Sequence, residues 1–509
     1  MHIDQLITDL PIRLVYGDKT LQIDDICEDS RLATPGCFFI ARSGTTTDGA
    51  RYIADAIAAG AVAVLCESIP DNAAKTVAWL TADKVDNQLT GMLAEAFFEH
   101  PSRKLRLIGI TGTNGKTTTA YLTRRLLRRS GIMCGMIGTI EIDDGINRTT
   151  ASLTTPGSVE LSRLLGQMVN NGCTAAVMEV SSHALDQGRA AALDFHVGIF
   201  TNLTGDHLDY HGTMANYATA KAKLFTELGS TDWAVLNMDD PYSQEMAAHC
   251  NARKLWCQVC DVTPVAPMLE DEDSESICTA TMLQMTSAQS LARLQGPWGS
   301  VELNLPMIGK HNLHNVIQAI AAANCITAVA RKLRPALEQA KGVPGRLELV
   351  TIDAQQALPT VLVDYAHTHD ALENVLAAIK PLCTGKLICV FGCGGDRDAT
   401  KRPKMAKIAC DYSDIAIITS DNPRTENPMK IMDDIQAGVP ADTSCDVRVI
   451  DDRHQAIEQA IQLANPQDTI LIAGKGHEDY QIIGTEKTHF DDREIAAQCL
   501  MNHKSGASC

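Results

Sequence analysis

The stretch Gly109-Ile110-Thr111-Gly112-Thr113-Asn114-Gly115-Lys116-Thr117 decides the fold. An apolar run, LRLIGI, leads into it and a helical run, TTTAYLTRRLL, follows, so a glycine-rich loop joins a buried strand to the start of a helix. Glycines there let the backbone wrap phosphates, and the helix N-terminus adds positive potential. Lys116 can reach the β and γ oxygens, and the Thr117 hydroxyl can ligate Mg²⁺. Gly112, Thr113, Asn114, Gly115, Lys116, Thr117 and Thr118 are therefore the expected phosphate-binding residues.

Two further apolar runs, AAVMEV and HVGIFTNL, read as strands of the same parallel sheet, covered by helices on both faces. The first ends in Glu179, which puts a carboxylate at the carboxyl edge of the sheet beside the loop, where a second Mg²⁺ ligand belongs. The second runs into Asp206-His207-Leu208-Asp209-Tyr210-His211, rich in metal ligands and in groups that orient them.

Working outward, residues 1–103 read as a small α/β unit, with apolar runs at 37–41 and 61–66, a helical stretch at 52–59 and a turn at Pro35-Gly36. The central unit spans 104–341, carries an acidic loop at 269–276 and ends with a helix over about 311–333. GVPGR at 342–346 marks the second boundary. From 342 to 509 strands near 359–364, 386–391, 414–419, 446–450 and 468–473 alternate with helices such as 370–379 and 454–463, a second doubly wound α/β domain. Four of its strands run off into polar or glycine-rich segments: Asp364–His367, Gly392–Asp398, Asp421–Arg424 and Gly474–Glu478. Ligands of open parallel sheets bind outside such carboxyl ends.

The length of 509 residues fits about three domains. Lys plus Arg is 44 and Asp plus Glu is 62, a net charge of −18, and no basic block stands out, which argues against a nucleic-acid or anionic-membrane binder. Seventeen scattered cysteines and a start lacking a signal-peptide pattern point to a reduced, cytoplasmic setting. No apolar run approaches the roughly 20 residues of a membrane span.

GTNGKTT, TTPGS, MEVSSHALDQGR, FTNLTGDHLDYHG and the downstream Lys221 resemble the central domain of the Mur ligases, ATP-dependent amide-bond synthetases of peptidoglycan precursor assembly. The resemblance covers nearly the whole chain and implies three α/β domains. These are a small N-terminal UDP-binding domain, a central P-loop-type parallel-sheet ATPase domain and a C-terminal Rossmann-like domain. It implies Mg²⁺ held by Thr117, Glu179, His207 and Lys221, the last as a carbamate, with Lys116, His207 and Lys221 in the catalytic group. By the residues alone Lys221, in YATAKAKLF, reads as an ordinary helix-surface lysine.

The resemblance also distributes the substrates. Glu28, Ser30, Thr45, Thr46 and Thr47 fall toward the UDP end and Thr154, Thr155, Ser181, Gln187 and Arg189 toward the muramoyl dipeptide, with Leu153 assigned to the same UDP-muramoyl dipeptide. Asn312 and Asn315 would lie near adenine, and Arg346 and Asp364 would meet the nucleotide's phosphate and ribose. Arg397, Asp421, Asn422, Pro423, Arg424, Gly474 and Glu478 would receive the incoming amino acid. The DNPR sequence at 421–424 resembles the meso-diaminopimelate-adding members, and a guanidinium at Arg424 suits bidentate capture of the distal carboxylate that lysine lacks. Three positions depart from the family pattern: His369 for a proline, His311 for a phenylalanine, and Leu153 where some members have Asn.

The expectation is a monomeric ligase using ATP, with Mg²⁺, to join meso-diaminopimelate to UDP-N-acetylmuramoyl-L-alanyl-D-glutamate through an acyl phosphate. Three alternatives remain open at this stage. They are an L-lysine-adding ligase, a folylpolyglutamate synthetase-like ligase, and a nucleotide-regulated scaffold whose loop acts as a switch.

Overall fold

The structure, a computed structural model, describes residues 1–44, 48–260, 276–286, 289–340, 342–352 and 357–506. The expected residues Thr45, Thr46 and Thr47, and 269–275 of the acidic segment, lie outside them. Among the described residues the strands build three main sheets and a separate two-stranded hairpin.

The first sheet has five strands in the order Arg13–Tyr16, Ala78–Thr81, Ala63–Cys66, Cys37–Ile40, Asp25–Cys27, parallel except for the first pair. At its heart Val64 and Leu65 are fully buried, which is why 61–66 reads as one unbroken apolar run.

The second sheet has eleven strands. Its parallel middle runs Ser276–Met285, Arg253–Cys260, Trp233–Asn237, Val197–Phe200, Arg106–Thr111, Ala175–Glu179, Cys134–Ile137. Helices Lys116–Arg129 and Lys310–Ile326 pack together on one face, and helices Ser158–Asn170 and Met214–Thr226 bury their apolar sides on the other. The sheet extends at both ends by antiparallel strands, Ser290–Gly296 and Gly299–Leu305 at one and Glu141–Asp143 and Arg148–Thr150 at the other. Sequence patterning did not reveal the strands over 276–305. Ser276, the last residue of the expected acidic loop, opens the first of them.

The third sheet has six strands, Glu348–Leu349, Thr360–Asp364, Thr469–Ala473, Leu387–Phe391, Ile415–Thr419, Asp446–Ile450, parallel apart from the short first edge. Each expected strand of this region is found within a residue of its anticipated place. The expected helix over 311–333 is corrected: it runs Lys310–Ile326, because β-branched Thr327 takes an extended backbone (φ −158°, ψ 152°), and only short helical turns follow at Ala330–Lys332 and Leu333–Leu337. Among the described residues no helix is long and apolar enough to cross a membrane.

Candidate active site

The phosphate loop follows strand Arg106–Thr111 and opens helix Lys116–Arg129. Gly112 (φ 147°) and Gly115 (φ 86°) are required there. A Cβ on Gly112 would lie 1.8 Å from Thr201 Oγ1, and one on Gly115 2.3 Å from Asn315 Oδ1. The loop is pinned from the neighbouring strand end: Asn114 N–H donates to Asn202 Oδ1 (2.9 Å), and Thr201 Oγ1 donates to the Asn114 carbonyl (2.7 Å). Lys116 Nζ folds back onto the carbonyls of Gly112 and Thr113, 2.8 Å each, and burial lowers its pKa from the ordinary lysine value.

The Thr117 hydroxyl donates to Glu179 Oε2 (3.0 Å), and the Glu179 carboxylate also receives the Thr139 N–H and hydroxyl at 2.8 and 2.9 Å. Glu179 is buried. His207 holds a left-handed backbone (φ 55°), with its ring 4.9 Å from that of His183 and Nε2 3.5 Å from the Asp206 carboxylate. Lys221 is only 1% exposed, so it is no surface lysine. Its Nζ stands 4.4 Å from the centre of the Tyr217 ring, and burial, then nearby Lys116, draw its pKa far below the lysine range. No carboxylate of the described residues pairs with it. Among those residues no three His, Cys, Asp or Glu side chains gather in a way that could hold a metal ion. The adjacent Thr117 hydroxyl and Glu179 carboxylate are nevertheless the hard oxygen donors Mg²⁺ takes.

A cavity of about 360 Å³ opens between the loop and the third domain. Asn114, Gly115, Thr118, Asn312, Asn315, Arg346 and Asp364 line it, which gathers seven of the eleven expected nucleotide-binding residues. The other four, Gly112, Thr113, Lys116 and Thr117, belong to the same loop and helix start but do not line it. Arg346 Nη2 donates to Thr117 Oγ1 (3.3 Å) and its guanidinium covers the Tyr365 ring at 4.7 Å. Asp364 accepts the N–H groups of Leu347 (2.7 Å) and Ala366 (2.8 Å), and burial raises its pKa. Asn114 Nδ2 reaches Asp370 Oδ2 across the two domains at 3.1 Å. His311 and His314 also line the cavity.

A larger cavity, about 1160 Å³, lies between the first sheet and helix Ser158–Asn170, and Glu28, Ser30 and Leu153 line it. Glu28 pairs with Arg42 at 3.0 Å. From there a polar track leads toward Glu179. Arg189 donates to Gln187 Oε1 (2.9 and 2.6 Å) and to the Thr155 carbonyl (2.9 Å), while Thr155 Oγ1 donates to the Glu179 carbonyl (2.9 Å) and accepts the Ser181 N–H (3.0 Å). Thr154 meets Thr139 at 3.1 Å, hydroxyl to hydroxyl. Thr139, which the sequence reading missed, thus connects this track to Glu179. Its only signal was a Gly138-Thr139 strand end beside the other edge loops.

At the edge of the third sheet, Asn422 Nδ2 donates to Glu478 Oε2 (2.8 Å), and Asp421 and Pro423 are buried beside them. Gly474 has φ 120°, and a Cβ there would sit 3.4 Å from Asp421 Oδ2. Arg424 also has a left-handed backbone (φ 52°), and its Nη1 donates to the Gly395 carbonyl (2.8 Å). Arg397 is exposed on the adjoining loop. Lys475 was also missed. It is fully buried, with Nζ donating to Asn422 Oδ1 (3.0 Å) and the Tyr480 carbonyl (2.7 Å). The signal for it was a lysine between two glycines in a loop already read as part of a site.

The third domain's arginines divide into two groups. Arg402, Arg448, Arg453 and Arg493 are in ion pairs with carboxylates. Arg346, Arg397 and Arg424 pair with none among the described residues; Arg346 lines the 360 Å³ cavity, and Arg397 and Arg424 stand on two loops at the edge of the third sheet.

Family models match three parts of the chain: the Mur ligase family catalytic domain over 22–95, the Mur ligase middle domain over 110–323, and the Mur ligase glutamate ligase domain over 345–476. The chain is 43% identical over 502 residues to a UDP-N-acetylmuramoyl-L-alanyl-D-glutamate--2,6-diaminopimelate ligase of Thermosynechococcus vestitus, covering 98% of each chain. It is 42% identical over 481 residues to the protein of the same description from Trichormus variabilis, covering 94% of each. A solved structure of such a ligase superposes with a TM-score of 0.65 at 30% identity, covering 99% of both chains. A folylpolyglutamate synthase of Mycobacterium tuberculosis shares the fold at a TM-score of 0.59 and 20% identity over 75% of this chain and 91% of its own.

Proposed function

The chain belongs to the Mur ligase family, and from that premise we propose an ATP-dependent ligase that joins meso-diaminopimelate to UDP-N-acetylmuramoyl-L-alanyl-D-glutamate in peptidoglycan precursor synthesis. The observation that carries the reading is the set of three unpaired guanidiniums. Cations left without a carboxylate at a sheet edge, while their neighbours are paired, suit anionic substrates. Arg346 faces the nucleotide, and Arg397 and Arg424 face an amino acid that itself bears two carboxylates.

The nucleotide lies in the 360 Å³ cavity, with Asn312 and Asn315 toward the base and Asp364 toward the ribose. The loop Gly112–Thr118 and Arg346 hold its phosphates. The larger cavity takes the UDP end through Glu28, Ser30 and Leu153. Thr154, Thr155, Ser181, Gln187 and Arg189 then guide the dipeptide to the Glu179 edge. Thr117, Glu179, His207 and Lys221, as its carbamate, would hold Mg²⁺, which when bound offsets charge on the phosphate oxygens. Buried Lys221, with no carboxylate partner, supports that assignment, since its unprotonated amine is the form that takes up CO₂.

An ionised carboxylate does not react with an amine, because oxide is a poor leaving group. The D-glutamyl γ-carboxylate attacks the γ-phosphorus and ADP leaves. The amine of diaminopimelate then attacks the acyl carbon, phosphate departs, and the amine loses a proton. Lys116 stabilises the charge on the transferring phosphoryl group, and Arg397, Asp421, Asn422, Pro423, Arg424, Gly474 and Glu478 orient the amine. Because nucleotide and amino-acid loops come from two domains, their closure excludes water from the acyl phosphate. We keep the domain limits at 1–103, 104–341 and 342–509, which leave each main sheet whole.

The test is product analysis. Incubation with the UDP-muramoyl dipeptide, ATP and diaminopimelate should yield a UDP-muramoyl tripeptide with ADP and phosphate, and absence of the tripeptide with all three substrates contradicts the proposal.

A further inference from the structure

We propose that the hairpin Tyr480–Ile483 and Glu486–His489, locked through buried Lys475, aims the Arg424 guanidinium and so sets selectivity for an amino acid with a carboxylate at its far end. This rests on the reading of the reaction just given. The hairpin belongs to none of the three main sheets, and its outer strand is exposed along its whole length. Two strands alone are marginal in water, so its position depends on what ties it down.

The ties converge on the DNPR segment. Arg424 N–H donates to the Ile482 carbonyl (3.1 Å), and Gly484 N–H donates to the Arg424 carbonyl (2.7 Å). Both main-chain polar groups of Arg424 are therefore taken by the hairpin. A left-handed backbone is costly for a residue with a Cβ, and it persists where surrounding bonds over-determine it. The Ile482 N–H donates to Asn422 Oδ1 (3.0 Å), and Gln481 Nε2 to the Asp421 carbonyl (2.8 Å). Lys475 Nζ sits at the centre, bonded to Asn422 Oδ1 and the Tyr480 carbonyl, with Asp421 at 3.4 Å and Glu478 at 3.7 Å.

The side chain completes the arrangement. Arg424 spends Nη1 on the Gly395 carbonyl, and its Nε and Nη2 have no partner among the described residues. Those two N–H groups form the edge that grips a carboxylate in bidentate fashion. Lys475 and the hairpin are thus positioning elements acting through Arg424.

The test compares Gln481→Ala and Lys475→Met with the full-length parent, reading kcat and KM for each substrate and the preference for diaminopimelate over L-lysine. Gln481→Ala, at a partly exposed position, should raise KM for diaminopimelate a few-fold, and Lys475→Met about tenfold or more, with KM for ATP and the nucleotide-sugar unchanged and preference reduced. In an Arg424→Ala background, Gln481→Ala should have no further effect on diaminopimelate. If Lys475→Met fails to fold, Gln481→Ala and this cycle decide. Unchanged preference in folded variants, or an equal effect with and without Arg424, overturns this inference alone. A parent that uses lysine and rejects diaminopimelate overturns the reading of the reaction and this inference with it.

Discussion

The Arg346 guanidinium donates to the Thr117 hydroxyl across 3.3 Å, joining the start of the third domain to the first turn of the phosphate-loop helix. One cation of the third domain thereby reaches the glycine-rich loop of the second. Arg346→Ala should raise KM for ATP by roughly 10–100-fold while leaving KM for diaminopimelate within a factor of about two. Phosphate-release assays at varied ATP measure this, and an unchanged KM for ATP argues against a phosphate role.

Lys116 is buried against the loop carbonyls, where it makes two 2.8 Å bonds. On the proposed reaction a charge there serves the transferring phosphoryl group more than the folded state. Lys116→Ala should therefore lower product formation by about a hundredfold or more, with the fold retained by circular dichroism. Near-normal turnover would refute the assigned role.

Gly395 passes so close to the DNPR segment that a Cβ would lie 1.9 Å from the Pro423 carbonyl oxygen and 2.8 Å from its carbon. Neither atom can swing aside, since both are backbone. Gly395→Ala should push the two loops apart and raise KM for diaminopimelate roughly tenfold or more, with ATP binding retained. Equal loss of both affinities by calorimetry would instead point to general unfolding of the domain.

Burial holds the His311 imidazole down to about 4, whereas an unfolded histidine titrates near 6.5. Between those values the unfolded chain binds more protons than the folded one, so this histidine makes stability fall as pH drops from about 6.5 toward about 4. His311→Phe removes the titrating group. The loss of Tm between pH 7.5 and pH 5 should be smaller in the variant by about 2 °C or more. An equal loss means that His311 is not buried in its neutral form.

Much of this site was legible because its requirements are local. The spacing of Gly112, Gly115 and Lys116 follows from wrapping a phosphate, and the polar segments after Asp364, Phe391, Thr419 and Ala473 follow from the direction of parallel strands. What depends on tertiary packing was not legible. Lys221 shares the buried face of its helix with Tyr217, Leu224 and Phe225, yet a lysine in an alanine-rich run reads as exposed, and its burial shows only once that face is packed. Lys475 lies in a loop already read as part of a site, but its own burial shows only when the hairpin closes over it. The strands over 276–305 pair antiparallel at the end of a parallel sheet, and their mixed apolar and polar residues gave no clean period. Thr327 ends its helix by its own backbone choice, against an apolar pattern that invited continuation.

On the proposed reaction Arg424 selects the second carboxylate of the amino acid. The direct measurement is phosphate release from ATP with the UDP-muramoyl dipeptide, comparing meso-diaminopimelate with L-lysine for the parent and for Arg424→Ala. Release should depend on diaminopimelate, and kcat/KM for it should fall by about a hundredfold or more in the variant. Release with lysine in place of diaminopimelate, or an Arg424→Ala variant that keeps the parent's preference, would contradict that role.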